Sequence, residues 1–401
     1  MIYNLIFLIS SVLLACTGQK AQVTDSSEMV SAPDSAKIDK IVTGAEQVNS
    51  YLPLLKGKRV AMVVNQTSTI GDTHLVDSLL SLNVNIVKIL SPEHGFRGEA
   101  ANGELVKSSI DQKTNLPLVS LYGKNRKPTP EQLSDVDVVI FDVQDVGARF
   151  YTYISTMHYL MEACAENNKQ LIIFDRPNPH GMYVDGPIMQ PQYKSFIGMH
   201  PIPIVHGLTV GELALMINGE KWLKNGVQCK VEIVKNKNYQ HSDKYLLPIK
   251  PSPNLPNNQS ISLYPSICLF EGTTLSLGRG TTYPFQVVGG PDPAYGSFTF
   301  TPVNIPGMTI NPPLENKLCY GIDLRNVEPK YEFTLKYLID FYNKSPKKDS
   351  FFIPFFEKLV GTKTLREQII KGMTEEEIKA TWKKELDEYR AMRKKYLLYG
   401  E

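Results

Sequence analysis

The stretch VNIVKILSPEHGFRG, residues 84–98, decides the fold class of this 401-residue chain. Its first seven residues form a mostly apolar run of the kind that builds a buried β-strand. Pro92 and Gly95 then prevent the strand from simply continuing. Glu93, His94 and Arg97 therefore lie where a strand leaves its sheet, and ligands of open α/β sheets bind in the crevice at that edge. A glutamate in this place is a candidate for proton transfer.

Strand-like and helix-like segments alternate on both sides of this stretch, from residue 58 to about residue 235. Two of the helices begin with capping boxes, Thr129 with Gln132 and Thr209 with Glu212. The alternation predicts an α/β fold with a Rossmann-like, doubly wound, mostly parallel sheet and helices on both faces. The predicted strands are 59–64, 84–90, 116–122, 136–142, 170–175 and 202–206.

The rest of the chain has a different pattern. Pro, Asn and Gly are frequent over residues 248–313, a short strand is predicted at 319–324 and a helix at 332–343, and the last forty residues are helical and highly charged. This predicts a second, smaller α+β domain. We place a lipoprotein-type signal peptide at 1–15, a flexible tether at 16–37, the Rossmann-like catalytic domain at 38–235 and the smaller domain, closing a cleft, at 236–401.

The first sixteen residues predict export. The apolar run from Ile2 to Leu14 suits a signal peptide and is short for a membrane span. It ends in Leu13-Leu14-Ala15-Cys16, which resembles a bacterial lipobox, so Cys16 is predicted to carry a lipid and to anchor the protein to a membrane from the periplasm. The other four cysteines show no CxxC spacing, so a zinc site is not expected.

Charge and motifs exclude several functions. With 43 basic and 41 acidic residues the formal net charge is +2, which does not suit a nucleic-acid-binding protein. The sequence contains no HExxH, GxSxG or GxxxxGK[ST] motif, and the glycine-rich run 277–282 follows no βαβ opening. No cofactor is therefore predicted, although Asp142, Asp145 and His94 leave a metal site open as an alternative.

Polar groups follow four predicted strands, and in a parallel sheet these ends share one edge. Each group also has a structural alternative: a salt bridge between Asp175 and Arg176, capping of the helix near residue 151 by an aspartate, or a loop hydrogen bond from His206. The groups are Glu93-His94, Asp142 with Asp145 and Arg149, Asp175-Arg176, and His206. In the second domain, Glu271 and Arg279 belong to the loop 270–281, which either closes over the crevice or is a solvated turn, and Asn254 lies in a segment that precedes it.

Several long strings carry a resemblance to a known family. They are SPEHGFRGE, TNLPLVSLYG, VDVVIFDVQDVGARFYTYISTM, IIFDRPNPHGMYVDGP, IPIVHGLTVGELA, SPNLP, LYPSICLFEGTTLSLGRGT and the closing YLLY. Over about residues 40–400 the chain resembles the exo-β-N-acetylmuramidase (NamZ-type) family. The resemblance implies a glycoside hydrolase that releases terminal N-acetylmuramic acid (MurNAc) from the non-reducing end of β-1,4-linked MurNAc–N-acetylglucosamine (GlcNAc) fragments of peptidoglycan. It also implies a site in the cleft between two domains.

The family's proposed catalytic glutamate lies in its SPEHG motif and corresponds to Glu93. Glycoside cleavage needs an acid plus a second group, for which Asp142, Asp145, Glu271 and the substrate's own acetamido oxygen are candidates. We assign catalysis to Glu93, His94, Asp142, Asp145 and Glu271, and substrate binding to Arg97, Arg149, Asp175, Arg176, His206, Asn254 and Arg279. The alternatives are a lipid-anchored sugar-binding protein without turnover and a sugar esterase or deacetylase.

Overall fold

A seven-stranded sheet organises the first part of the chain. The computed structural model describes residues 40–93, 95–97, 109–123 and 125–401, so the predicted signal peptide, tether and lipid site at Cys16 lie outside the described residues. The strands are β1 Val60–Val64, β2 Thr69–Ile70, β3 Thr73–His74, β4 Ile86–Ser91, β5 Ser109–Ile110, β6 Pro117–Ser120, β7 Val138–Asp142, β8 Gln170–Phe174, β9 Val231–Val234, β10 Val287–Gly290, β11 Phe298–Phe300 and β12 Cys319–Asp323. The helices are α1 Val48–Leu55, α2 Leu75–Ser81, α3 Pro130–Leu133, α4 Tyr153–Glu166, α5 Val210–Gly219, α6 Asn258–Ile267, α7 Lys336–Lys344, α8 Phe355–Val360, α9 Thr364–Ile370 and α10 Glu375–Arg393.

The strand order in the large sheet is β5-β6-β4-β1-β7-β8-β9. Every neighbouring pair is parallel except β5 and β6, which are antiparallel at one edge. This confirms the mostly parallel, doubly wound sheet predicted from the alternation of strands and helices.

The sheet is buried on both faces, as the continuous apolar runs of its strands require. Along β1, Ala61 and Val63 pack into one hydrophobic core, whereas Val60, Met62 and Val64 pack into the other. Helices α4 and α5 cover the first face, and α1 and α2 cover the second. Loops at the strand ends are therefore the part of the sheet that can reach a ligand.

The predicted helix starts are confirmed. Thr129 and Thr209 each form a capping box, in which the threonine hydroxyl accepts the backbone N–H three residues on and the side chain of that residue accepts the threonine N–H. Thr374 does the same at α10.

The strand predicted at 202–206 is wrong. Val205 makes isolated bridges with Ala148 and Asp185 and joins no sheet. Pro201 and Pro203 lack the N–H groups that a ladder needs, which explains why this apolar run stays irregular. The outermost parallel strand is β9 instead, which the sequence analysis did not predict.

The second part of the chain contains a three-stranded antiparallel sheet, ordered β10-β12-β11, together with α6 to α10. This confirms the α+β character predicted for the second part of the chain, while the domain boundary at 235–236 stays a prediction. The chain end returns to the large sheet, where the Tyr399 hydroxyl donates to Asp175 Oδ2 at 2.6 Å. Cys164, Cys229, Cys268 and Cys319 are buried free thiols. Among the residues that the structure describes, no helix has the length and apolarity needed to cross a membrane.

Candidate active site

A cavity of about 270 Å³ opens at the carboxyl ends of the parallel strands, between the loops after β4, β6 and β7 and the segment 252–285. Among the residues that the structure describes, the lining combines two carboxylates, two arginines, four tyrosines and three phenylalanines. The lining residues are Glu93, Tyr122, Arg126, Phe150, Tyr151, Thr152, Tyr153, Phe196, Ile197, Ser252, Asn254, Leu255, Tyr264, Glu271, Arg279 and Phe285.

Glu93 enters this cavity from the loop that follows β4. The hydroxyl of Thr152, the residue that precedes α4, donates to Glu93 Oε2 at 3.0 Å. Tyr122, from the loop after β6, lies beside Glu93, and its pKa is raised by burial and by the negative charge of Glu93. The Thr152 hydroxyl therefore fixes the orientation of the carboxyl group, and Tyr122 lies next to it.

Tyrosines at the start of α4 form the floor beside Glu93. The Tyr151 hydroxyl donates to the Pro251 carbonyl at 3.0 Å, and Asn65 Nδ2 donates to the Tyr153 hydroxyl at 2.9 Å. The rings of Tyr151 and Tyr153 meet edge to face with their centroids 5.0 Å apart. These contacts join the loops after β1 and β7 to the second part of the chain.

Further aromatic rings continue the lining from Tyr151, whose ring meets that of Tyr264 edge to face at 5.8 Å between centroids. Tyr264 lies edge to face with Phe150 at 5.4 Å and with Phe285 at 4.9 Å between ring centroids. Such a lining offers apolar faces to a ligand, and the tyrosine hydroxyls keep a polar edge. A cavity of this composition suits a ring-shaped, hydroxyl-rich ligand such as a sugar.

Glu271 is the second carboxylate of the cavity. It lies in the 3₁₀ turn Cys268–Gly272, and its Oε1 accepts hydrogen bonds from Arg279 Nε at 2.8 Å and Nη2 at 2.6 Å. Burial opposes the charge on Arg279, but the adjacent Glu271 carboxylate outweighs it and raises the pKa of Arg279. The Arg279 guanidinium also lies 4.9 Å from the ring centroid of Phe285. Both side chains of the pair are mostly shielded from solvent.

Among the residues assigned to the site from sequence, the structure brings Glu93, Asn254, Glu271 and Arg279 to the cavity. The amide of Asn254 is already engaged, since Nδ2 donates to the Met308 carbonyl at 2.7 Å and Oδ1 accepts from Thr309 Oγ1 at 2.7 Å. Asn254 therefore shapes the wall more than it offers free hydrogen-bonding groups.

Asp142 and Arg176 lie outside the cavity lining and pair with each other. Arg176 Nε donates to Asp142 Oδ1 at 2.6 Å and Nη2 donates to Oδ2 at 2.9 Å, and both side chains are buried. Asp175 is also fully buried, where it accepts hydrogen bonds from Thr209 Oγ1, Gly211 N and Tyr399. Asp142, Asp175 and Arg176 therefore bind partners within the fold, and none of them lines the cavity.

The remaining predicted residues are placed as follows. Arg149 is fully buried, and its guanidinium donates to backbone carbonyls of residues 187, 202, 359 and 360. Asp145 and His206 are buried, with Asp145 Oδ2 3.8 Å from His206 Nε2, and Asp145 accepts from the Gly147 N–H at 2.6 Å. Arg97 pairs with Asp111 at 3.1 Å. His94 lies outside the described residues.

The alternative metal site was proposed from Asp142, Asp145 and His94. Within residues 40–93, 95–97, 109–123 and 125–401, no group of three His, Cys, Asp or Glu side chains is arranged to hold a metal ion. Both oxygens of Asp142 are instead occupied by Arg176.

Sequence reasoning missed most of the aromatic lining and Arg126. Tyr122 and Arg126 follow the strand β6, just as Glu93 follows β4. Selecting the polar residues after every predicted strand would therefore have found both. Phe196 follows no strand or long helix, and no sequence signal marks it.

Two carboxylates in the wall of one sugar-sized cavity are the arrangement with which glycoside hydrolases cleave a glycosidic bond. The comparisons agree with that class. Residues 60–259 match the family model described as the N-terminal part of exo-β-N-acetylmuramidase NamZ, and residues 262–399 match the C-terminal part. The chain therefore belongs to the exo-β-N-acetylmuramidase NamZ family.

Individual relatives cover nearly the whole chain. It is 39% identical over 400 residues to the peptidoglycan β-N-acetylmuramidase NamZ of Bacillus subtilis, covering 92% of this chain and 94% of the relative. A crystal structure of a DUF1343 family protein from Bacteroides fragilis matches with a TM-score of 0.85 and 51% identity over 90% of this chain and 99% of that one. A second such protein from the same organism matches with a TM-score of 0.78 and 32% identity, again over 90% and 99% of the two chains.

Proposed function

We propose that this protein is an exo-acting glycoside hydrolase that releases terminal MurNAc from the non-reducing end of β-1,4-linked MurNAc–GlcNAc fragments of peptidoglycan. The observation that carries this function is family membership across both parts of the chain, with the motif glutamate Glu93 held in the wall of a sugar-sized cavity. The B. subtilis relative is named for the same activity.

The reaction breaks the bond between C1 of MurNAc and O4 of GlcNAc and adds one water molecule across it. O4 leaves with a proton, and C1 ends with the hydroxyl group. Glu93 is the proposed donor of the proton to O4, because a hydrogen bond from Thr152 holds its carboxyl group in the cavity. A second group then either takes a proton from the attacking water or attacks C1 directly.

Glu271 is the proposed second group. Among the described residues, Glu93 and Glu271 are the carboxylates that line the cavity. The hydrogen bonds from Arg279 end on Oε1 and hold the Glu271 side chain at the cavity wall. Asp142, the other early candidate that ends a strand, has both oxygens bound by Arg176.

The test is release of MurNAc from a purified MurNAc–GlcNAc disaccharide by wild type, Glu93→Gln and Glu271→Gln. Glu93→Gln keeps the shape of the side chain and removes the proton, so we expect a loss of about 100-fold or more in kcat with normal folding. Glu376→Gln, on the exposed surface of α10, is the matched control and should keep full activity.

Near-normal turnover by Glu93→Gln would remove Glu93 from the mechanism. Binding of the disaccharide by wild type without any product would instead favour the sugar-binding alternative. Release of acetate or of another acyl group would favour the esterase or deacetylase.

We also propose that the protein is exported and held at a bacterial membrane by a lipid on Cys16. The support is the run Leu13-Leu14-Ala15-Cys16 at the end of an apolar segment. Cys16→Ser should move the protein from the membrane fraction to the soluble periplasmic fraction. Wild type that is entirely soluble would contradict the lipid anchor.

A further inference from the structure

A MurNAc residue differs from GlcNAc by its lactyl group, which carries a carboxylate. Because the formal net charge of the chain is only +2, attraction of that carboxylate must come from a local cation. Four arginines were assigned to substrate binding from sequence, and none offers an unpaired charge in the cavity. Arg97 pairs with Asp111 and does not line the cavity. Arg149 and Arg176 lie outside the cavity lining, and Arg279 is neutralised by Glu271.

Arg126 is the other arginine of the cavity. It is exposed, and among the described residues it forms no ion pair. Its guanidinium lies over the ring of Phe196, with Cζ 4.3 Å from the ring centroid. A guanidinium stacked on an aromatic ring keeps its five N–H groups at its edge, where a planar carboxylate can bind two of them side by side.

The position of Arg126 places this charge near the reacting bond. It belongs to the loop after β6 that also carries Tyr122, and that loop is held by a hydrogen bond from Asn125 Nδ2 to the Ser120 carbonyl at 2.9 Å. Arg126, Tyr122 and Glu93 line the same cavity, and the positive charge of Arg126 partly opposes the effect of burial and of Glu93 on the pKa of Tyr122. A sugar with its glycosidic oxygen at Glu93 therefore has Arg126 within the same cavity.

We propose that Arg126, stacked on Phe196, is the specificity-determining residue that binds the lactyl carboxylate of the terminal MurNAc. This inference rests on the proposed function and names the group that selects its substrate. The backbone of Phe196 is held in place by α4, because the Ser155 hydroxyl donates to the Phe196 carbonyl at 2.6 Å. Phe196 thus orients the guanidinium, and Arg126 supplies the charge.

Three chromogenic substrates test the proposal: the 4-nitrophenyl β-glycosides of MurNAc, of the MurNAc methyl ester and of GlcNAc. The ester keeps the shape of the lactyl group and removes its charge. We expect wild type to prefer the free acid over both neutral substrates. Arg126→Ala should lower kcat/KM for the acid by about 10- to 100-fold, the size of one lost charge-assisted pair, and leave the neutral substrates nearly unchanged.

Two further variants sharpen the comparison. Arg126→Lys keeps the charge without the planar fork and should recover part of the preference for the acid. Arg325→Ala is the matched control, since Arg325 pairs with Asp323 on the surface and does not line the cavity. It should keep the wild-type ratios.

The outcomes separate this inference from the proposed function. If wild type cleaves none of the three substrates, the proposed function fails and the inference with it. If wild type cleaves the acid and its ester equally, or if Arg126→Ala loses activity on all three substrates to the same degree, the function stands and the role of Arg126 is refuted. The comparison of acid with ester needs only wild type, so it remains decisive even if Arg126→Ala does not fold.

Discussion

Asp142→Asn should destabilise the folded protein by about 3–5 kcal/mol without acting on the chemistry. The Asp142 side chain is 0% exposed and that of Arg176 is 6% exposed. The guanidinium donates two hydrogen bonds to the carboxylate, at 2.6 and 2.9 Å. Asparagine has the same shape but one acceptor oxygen, so its amide N–H groups would face the N–H groups of Arg176.

The magnitude follows from leaving a charge buried and unpaired. Removing one partner of a buried ion pair typically costs about 3–5 kcal/mol, because the remaining ion stays out of water without its counter-charge. That is a large part of the roughly 5–15 kcal/mol that separates folded from unfolded states in most domains. The effect is far larger than expected for a surface pair.

The assay is urea unfolding followed by circular dichroism and tryptophan fluorescence for Asp142→Asn, Arg176→Met and the double variant. The double variant leaves no unpaired buried charge, so its loss of stability should be well below the sum of the two single losses. Activity on the MurNAc substrate should stay within about 10-fold of wild type for whatever fraction is folded. Unchanged stability of Asp142→Asn, or a stable variant with a loss above about 100-fold in kcat, would refute this reasoning and return Asp142 to the catalytic candidates.

Two further predictions concern pH and metal ions. Burial raises the pKa of Asp175 to about 6, above the ordinary value of 3.8, although bonds from Thr209 and Tyr399 oppose the shift. The folded state thus binds this proton more strongly than the unfolded state does. Between pH 4 and 6 the unfolded state loses the proton first, so the free energy of unfolding falls as the pH rises, by about 3 kcal/mol in all. The urea midpoint of wild type should therefore fall between pH 4 and 6 by more than the midpoint of Asp175→Asn, which lacks the titrating group. An identical pH dependence of the two midpoints would contradict this prediction. Dialysis against EDTA should leave MurNAc release unchanged, whereas loss of activity with rescue by one divalent ion would restore a metal site.

Much of the fold was predictable from local patterns. Apolar runs set β1, β4, β7 and β8, and threonine capping boxes set the starts of α3, α5 and α10. The error at 202–206 arose because an apolar run was weighed above its two prolines, Pro201 and Pro203. The edge strand β9 was missed because four residues, partly exposed, give a weak signal.

The site was predictable only in part, because the sequence shows which polar residues reach the sheet edge but not how they pair. The rule of strand ends selected both Glu93, which enters the cavity, and Asp142, which is bound by Arg176. The two cannot be told apart without side-chain geometry. The same holds for Arg149, whose partners are carbonyl groups from residues up to 211 positions away.

The strand order explains why some strand ends supply the cavity and others do not. The chain builds outward from β1 through β4 to β6, and then returns to the other side of β1 with β7 and β8. The loops after β1 and β7 therefore diverge to opposite faces, and a crevice forms between them, which is where ligands of such sheets bind.

Asn65, after β1, hydrogen-bonds Tyr153, after β7, across this crevice, and Glu93 and Tyr122 reach it from the side of β4 and β6. Asp175 after β8 lies on the other side, where it ties the start of α5 to the chain end through Tyr399. Glu93, on the β4 side, is thus left to a ligand, while Asp142 and Asp175, at the ends of β7 and β8, bind partners within the fold.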